Sequence, residues 1–283
     1  MYLQVKLKAK AVRTKYWMPG TNYLEEIAKA LKNKIKDGDV ITVSEKAIST
    51  AIGNIVDESK IKPRKTAHLI AKYWMRIIWG YFLCFLARMK KENIARIRNY
   101  PLFEGARHKQ TVIYYAGILQ ALNVWSENGI DGSNLPYAYV ALPLRKAEKV
   151  AEKIREYIKK KLGKKVAVMI VDTDKTYSFR NFHFTLRSCM VRGIFHVRCF
   201  LAYVFGRFLR LRHRATPVAV VGLKLDAENA LRIADFSNKV RGFGSGRTVW
   251  DMANTFKTSV TTVSWNMLQK IRHKPIVIVR VGE

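Results

Sequence analysis

The chain has 283 residues, 49% of them hydrophobic, with 52 Lys+Arg against 21 Asp+Glu and a formal charge of +31. That apolar content excludes a largely disordered chain and allows one large domain or two small ones. A heat-adapted surface of ion-pair networks needs Glu as well as Lys, and acids are scarce, so the excess points instead to a polyanionic partner: RNA, the ribosome, DNA or an acidic membrane surface.

The stretch Tyr2-Leu3-Gln4-Val5-Lys6-Leu7 alternates as a half-buried strand does, and within Met1 to Arg13 there is no apolar run of the kind a secretory leader carries. After a Pro19-Gly20 turn, an amphipathic helix opens at Tyr23 and ends near Lys36. Asp37-Gly38-Asp39 forms a turn ahead of a β-branched strand, Val40 to Val43, and a short helix or loop starts at Ser44. From Thr66 to Arg98 the pattern is helical, with Trp74, Ile77, Ile78, Phe82 and Phe85 on an apolar face expected to pack. The apolar run Ile77 to Ala87, bounded by Arg76 and Arg88, is too short to cross a bilayer and reads as a buried helix, so no transmembrane segment is expected.

Lys146 to Leu162 carries apolar residues at helical spacing and stops at Gly163, and a buried strand follows from Val166 to Val171. Two further strands are read at Pro217 to Leu223 and Pro275 to Val281, with a helix from Ala227 to Ala234. The mixture predicts an α/β or α+β protein, a mixed sheet with flanking helices. No linker or repeat divides it, so residues 1–283 read as one unit. Cys84, Cys189 and Cys199 have no metal-ligand or disulfide spacing and suit buried thiols in a reducing, cytoplasmic setting.

Chemistry concentrates in a few loops. Asp172-Thr173 directly follows a strand, where a carboxylate and a hydroxyl can hold a hard cation and, through it, phosphate; a turn or helix-cap Asp is the alternative. Gly129-Ile130-Asp131-Gly132-Ser133-Asn134 offers a second carboxylate between glycines, or simply a polar turn. Arg241-Gly242-Phe243-Gly244-Ser245-Gly246-Arg247-Thr248 can cradle phosphate with backbone N–H groups and two guanidinium forks, or form a flexible glycine loop. Residues 182–214 place Arg187, Arg192, Arg198, Arg207, Arg210, Arg212 and Arg214 among aromatics; this insertion is either a polyanion-binding surface or a strand pair plus an amphipathic helix. Its basic and apolar part, Cys199 to Leu211, also suits a lipid interface.

The two Asp motifs in this order, with Asp37-Gly38-Asp39-Val40-Ile41-Thr42-Val43, Ile48-Ser49-Thr50-Ala51-Ile52-Gly53 and the final strand, resemble the glutamate ligase that extends the deazaflavin coenzyme F-420, in a divergent archaeal-type form. The resemblance implies a glutamyl ligase-like fold, a homodimer, and an amide ligase acting on a small-molecule carboxylate and glutamate through an acyl phosphate. It also implies GTP with Mg2+ or Mn2+. Carried over, Asp131 and Asp172 bind metal, Thr173 a second metal, and Asn134 the nucleotide; Ser133, Lys46, Ser49, Arg241 and Arg247 are the further nucleotide-binding candidates. No catalytic side chain is assigned. The family's Ser-Lys-Ala-Glu-Gly stands here as Ser49-Thr50-Ala51-Ile52-Gly53, and Lys46 is the candidate replacement for the missing cation. The alternative is a noncatalytic RNA- or ribosome-binding protein on the same scaffold.

Overall fold

The computed structural model describes residues 7–125 and 127–281. Tyr2 to Lys6, expected in the first strand, lie outside the described residues, and β1 is described over Leu7–Thr14. The chain continues through α1 (Tyr23–Leu31), β2 (Val40–Ser44), α2 (Glu45–Ala51) and β3 (Ile55–Asp57). A helical segment follows: α3 (Lys65–Leu69), a π-helical stretch (Ile70–Leu83) and α4 (Cys84–Leu86) run on as one helix, then come α5 (Lys91–Arg98), α6 (Leu102–Ala116) and α7 (Ile118–Ala121). The remaining elements are β4 (Tyr139–Ala141), α8 (Ala147–Leu162), β5 (Ala167–Phe179), β6 (Phe182–Thr185), β7 (Ile194–His196), α9 (Phe200–Phe208), β8 (Arg212–Val221), α10 (Ala227–Arg241), α11 (Val249–Phe256), α12 (Trp265–Gln269) and β9 (His273–Val281).

The main sheet is mixed. β1 pairs antiparallel with β9, β9 antiparallel with β2, β2 parallel with β5, and β5 antiparallel with β8, while the far half of β5 also pairs with β6, which pairs parallel with β7. Alternation along β5 sends Val168 and Ile170 into the core shared with α1 and α8, and Ala167, Met169 and Val171 into the core shared with α10. Both faces are covered, which is why β2, β5 and β9 read as β-branched runs rather than as alternating ones. On α8 the positions Ala147, Ala151, Ile154 and Ile158 form the buried stripe, and Gly163, with φ +66°, ends the helix in a left-handed turn. Removing one such side chain, as in Ile154→Ala, costs about 2–5 kcal/mol.

The helices between β3 and β4 have a separate core built on Ile70, Met75, Trp79, Ile97, Tyr100 and Val112. The Trp74 and Trp79 indoles both donate to the Leu122 carbonyl, at 2.9 and 2.8 Å. Inside this layer His108 lies between Glu58 at 2.9 Å and Glu127 at 2.5 Å, and Lys109 donates to Glu127 and, at 2.6 Å, to the Asn123 carbonyl. Burial alone disfavours a charged imidazole, but the two carboxylates outweigh it and lift His108 to about 10.

Two expectations change. The helix that carries the apolar run from Ile77 extends from Lys65 to Leu86, and by length and composition it is long and apolar enough to cross a membrane. Only one of its faces is buried: Ile77, Phe82, Phe85 and Leu86 are exposed, whereas Met75, Trp79 and Cys84 fill the core. The strand read as ending at Val171 continues to Phe179, because the β5–β8 ladder absorbs extra residues at an irregularity between Asp172 and Lys175 instead of stopping.

Candidate functional site

Three loops meet where the parallel pair β2 and β5 ends. Ser44 is the last residue of β2 and pairs with Val171, so Glu45 and Lys46 leave β2 beside Asp172. Open sheets hold ligands at this carboxyl edge of parallel strands. The β5 irregularity sets Thr173 and Asp174 out of register with β8. Loop 129–134 is pinned alongside by paired hydrogen bonds of 2.9 and 3.2 Å between Asp131 and Ala141 of β4.

Arg187 occupies the centre. Its side chain is 1% exposed, and its guanidinium donates to Asp172, to both oxygens of Glu45 (the Nη2–Oε1 contact is 2.9 Å) and, at 3.1 Å, to the Ser188 carbonyl. Gly129, at φ +83°, makes room for it: a Cβ there would stand 2.7 Å from Arg187 Nη1. One guanidinium shared by two buried acids cannot satisfy both equally. Burial pushes Asp172 toward its neutral form, but Arg187, Lys46 and the Thr173 N–H at 2.7 Å together hold its pKa down. Burial raises the pKa of Glu45 by more than Arg187 lowers it, and the Asp172 charge adds to the rise.

Asp131 has its own cation. Lys46 Nζ donates to Asp131 Oδ2 at 2.5 Å, to Ser133 Oγ at 2.6 Å and to the Ser133 carbonyl at 2.9 Å, using all three ammonium protons. The Ser133 N–H caps the other Asp131 oxygen at 2.7 Å. Lys46, Asp131 and Ser133 are therefore brought together, but as a closed set. The Mg2+ or Mn2+ expected at Asp131 and Asp172 does not fit this arrangement, because protein cations already sit at hydrogen-bond distance on both carboxylates. Thr173 Oγ1 has no hydrogen-bond partner among the described residues.

The Asn134 amide holds the glycine loop. Its Oδ1 accepts from Ser245 N–H and Oγ, each at 2.7 Å, and its Nδ2 donates to the carbonyls of Phe243 at 3.2 Å and Gly246 at 3.1 Å. Both lone pairs and both protons of the amide are then spent. A Cβ on Gly244 would come within 2.4 Å of Asn134 Oδ1. The Arg241 to Thr248 segment is thus a fixed loop rather than a flexible one. Ser49 is likewise unavailable: it is fully buried and donates to the Leu142 carbonyl at 2.8 Å.

Two guanidinium groups stand at the ends of that loop. Arg241 is desolvated, which lowers its pKa, and Asp172 is close enough to counter part of that effect. It donates to Asn238 at 2.6 Å, and among the described residues no carboxylate lies within ion-pair distance of it. Arg247 is exposed and lies 4.0 Å from the Phe243 ring centroid. Lys175, whose pKa burial lowers, feels Asp172, Asp174 and Arg247. The site therefore surrounds a small acidic centre with Lys46, Lys175, Arg187, Arg241 and Arg247.

The insertion at 182–214 is the strand pair β6–β7 followed by α9. Its seven arginines divide. Arg187 and Arg214 are buried and are corrected from the polyanion surface: Arg187 binds Glu45 and Asp172, and Arg214 pairs with Glu228 at 2.7 Å and donates to Ser178 at 2.9 Å. Arg207 donates to the carbonyls of Ala87 and Arg88. Arg192, Arg198, Arg210 and Arg212 are exposed. Sequence reasoning missed Glu45 as a site residue; its position directly after β2 was the available signal.

A family profile described as F420-0:gamma-glutamyl ligase matches residues 11–185. The chain is 35% identical over 290 residues to the uncharacterized protein MJ1361 of Methanocaldococcus jannaschii, with 98% of this chain and 97% of that relative covered. The profile match ends just before Arg187.

Proposed function

The chain belongs to the F420-0:gamma-glutamyl ligase family, and from that membership we propose that it joins a small-molecule carboxylate to an amino acid at the expense of a nucleoside triphosphate, with glutamate and GTP as the candidate co-substrates. The γ-phosphoryl group passes to the acceptor carboxylate, giving an acyl phosphate and GDP. The amine then attacks the acyl carbon and phosphate leaves as the amide forms. This chemistry needs no protein nucleophile; it needs phosphate charge neutralised and water kept away.

The observation that carries the reading is the half-buried Arg241 guanidinium, which has no carboxylate within ion-pair distance among the described residues, at the end of a glycine loop held rigid by Asn134. A desolvated cation without a carboxylate partner gains most from an anion. Arg241, Arg247 and Lys175 take the phosphates in this assignment, and the Thr173 hydroxyl is the open polar group beside them. Lys46 and Arg187 act as positioning residues that hold Asp131 and Asp172 in place. These two cations occupy the carboxylates that the resemblance assigns to metal, so protein cations rather than a divalent ion at Asp172 neutralise the phosphates in this assignment.

The test is incubation of the full chain with GTP, glutamate and the glutamate-free coenzyme precursor, reading one added glutamyl unit by mass spectrometry together with GDP. Arg241→Ala is expected to lower turnover by about 10- to 100-fold, the loss of one charge-assisted contact, with the melting temperature retained. Absence of both amide and GDP with this precursor and a panel of other carboxylates would remove the proposal.

A further inference from the structure

Residues 59–91 contain no Asp or Glu, and neither do residues 175–225. The structure packs these two stretches together. Trp74 and Trp79 of the π-helical stretch meet Phe200 of α9 edge-on at 5.1 and 6.4 Å between ring centroids, Arg88 Nε donates to the Phe208 carbonyl at 3.2 Å, and Arg207 Nε donates to the Ala87 carbonyl at 3.2 Å. With the exception of Ile52 and Leu223, the exposed large hydrophobic side chains among the described residues fall within 69–119 or 179–209.

The exposure is ordered. On the helix Lys65–Leu86, Leu69, Tyr73, Ile77, Tyr81 and Phe85 recur every fourth residue and are all exposed, while Ala71, Met75, Trp79 and Cys84 are buried. The wide π winding, with its i→i+5 bonds, keeps residues four to five apart nearly in line. On α9 the same division holds: Leu201, Phe205 and Phe208 face out, and Ala202, Val204 and Gly206 face in. Exposed Lys72, Arg88, Lys90, Lys91 and Arg210 border this apolar surface.

We propose that this face, formed by the helix Lys65–Leu86 and α9, docks the protein in the plane of an anionic lipid bilayer. Apolar side chains flanked by cations with no intervening acid match an interfacial position, the rings and aliphatic groups entering the acyl boundary and the cations meeting lipid phosphates. The helix lies on the surface and does not cross, because its other face is committed to the core around Met75 and Trp79. A second copy of the chain is a poor occupant: it would bring two strongly basic surfaces together, each on a chain of charge +31. The aliphatic share of the surface, Leu69, Ile77, Leu86, Leu201 and Leu209, suits acyl chains rather than nucleic-acid bases.

Flotation of the full chain with vesicles of phosphatidylcholine alone, and with about one third phosphatidylglycerol, at about 0.15 M salt tests this. Binding to the anionic vesicles and not to the neutral ones is expected. The double variant Lys90→Gln, Lys91→Gln is expected to weaken partitioning about fivefold per charge removed. Phe82→Asp with Phe85→Asp is expected to abolish flotation with the melting temperature unchanged, since both side chains are exposed. Three outcomes would overturn the proposal: no flotation with anionic lipid, flotation unchanged in the Phe82/Phe85 variant, or a dimer by light scattering that this variant converts to monomer. Binding of polyuridine that survives the Phe82/Phe85 change, without flotation, would assign the basic surface to RNA instead.

Discussion

Replacing Arg187 with Met removes the one cation between two buried carboxylates. The wild-type guanidinium contacts both oxygens of Glu45 and one of Asp172, with its side chain 1% exposed. Without it, Glu45, whose pKa burial already raises, takes up a proton, and Asp172 is left with Lys46, Lys175 and Arg241 as its nearby cations. Breaking a buried pair from one side costs about 3–5 kcal/mol, most of it the uncompensated charge. Urea unfolding monitored by tryptophan fluorescence reads this as a lowered midpoint with an unchanged slope. The triple variant Glu45→Gln, Asp172→Asn, Arg187→Met removes the stranded charges and is expected to recover most of the loss. Manganese is expected to stabilise Arg187→Met, whose freed carboxylates become open donors, and to leave the wild type unaffected. A loss below about 1 kcal/mol for Arg187→Met, or no recovery in the triple variant, would refute the central role given to Arg187.

Gly129→Ala sets a Cβ 2.7 Å from Arg187 Nη1 at φ +83° and is expected to cost about 1–3 kcal/mol through strain and displacement of the guanidinium, read in the same urea assay. Asn134→Ala strands the Ser245 N–H and the Phe243 and Gly246 carbonyls; hydrogen exchange across 242–248 should accelerate, with a stability loss of about 1–3 kcal/mol. His108 is charged when folded, with its pKa raised from 6.5 to about 10, so its pairing stabilises the helical layer fully below about 6.5 and is lost as pH rises toward 10. Thermal melts of the wild type should therefore fall more steeply than those of His108→Gln between pH 7 and 10.

Strands and helices were legible wherever burial is periodic. Val40 to Val43, Lys146 to Leu162 and the final strand appear within a few residues of their expected bounds, because apolar spacing there reports a single packing partner. The exposed stripe on the helix Lys65–Leu86 was not legible: both of its faces are apolar, and spacing cannot say which one meets the core. At the site, Asp172 and Asp131 stood out by their position after a strand and between glycines. Their partners did not, since Glu45 lies 142 positions from Arg187 and Ser245 lies 111 from Asn134. The basic run at 182–214 therefore read as one surface, although the acids that bury Arg187 and Arg214 come from elsewhere in the chain.

The most direct measurement is GTP binding by calorimetry to wild type, Arg241→Ala and Asp172→Asn, each with chelator and with manganese. Phosphate capture by Arg241, Arg247 and Lys175 predicts binding in the presence of chelator that is lost in Arg241→Ala. Binding that appears only with manganese, disappears in Asp172→Asn and survives Arg241→Ala would contradict it and return the two aspartates to a metal.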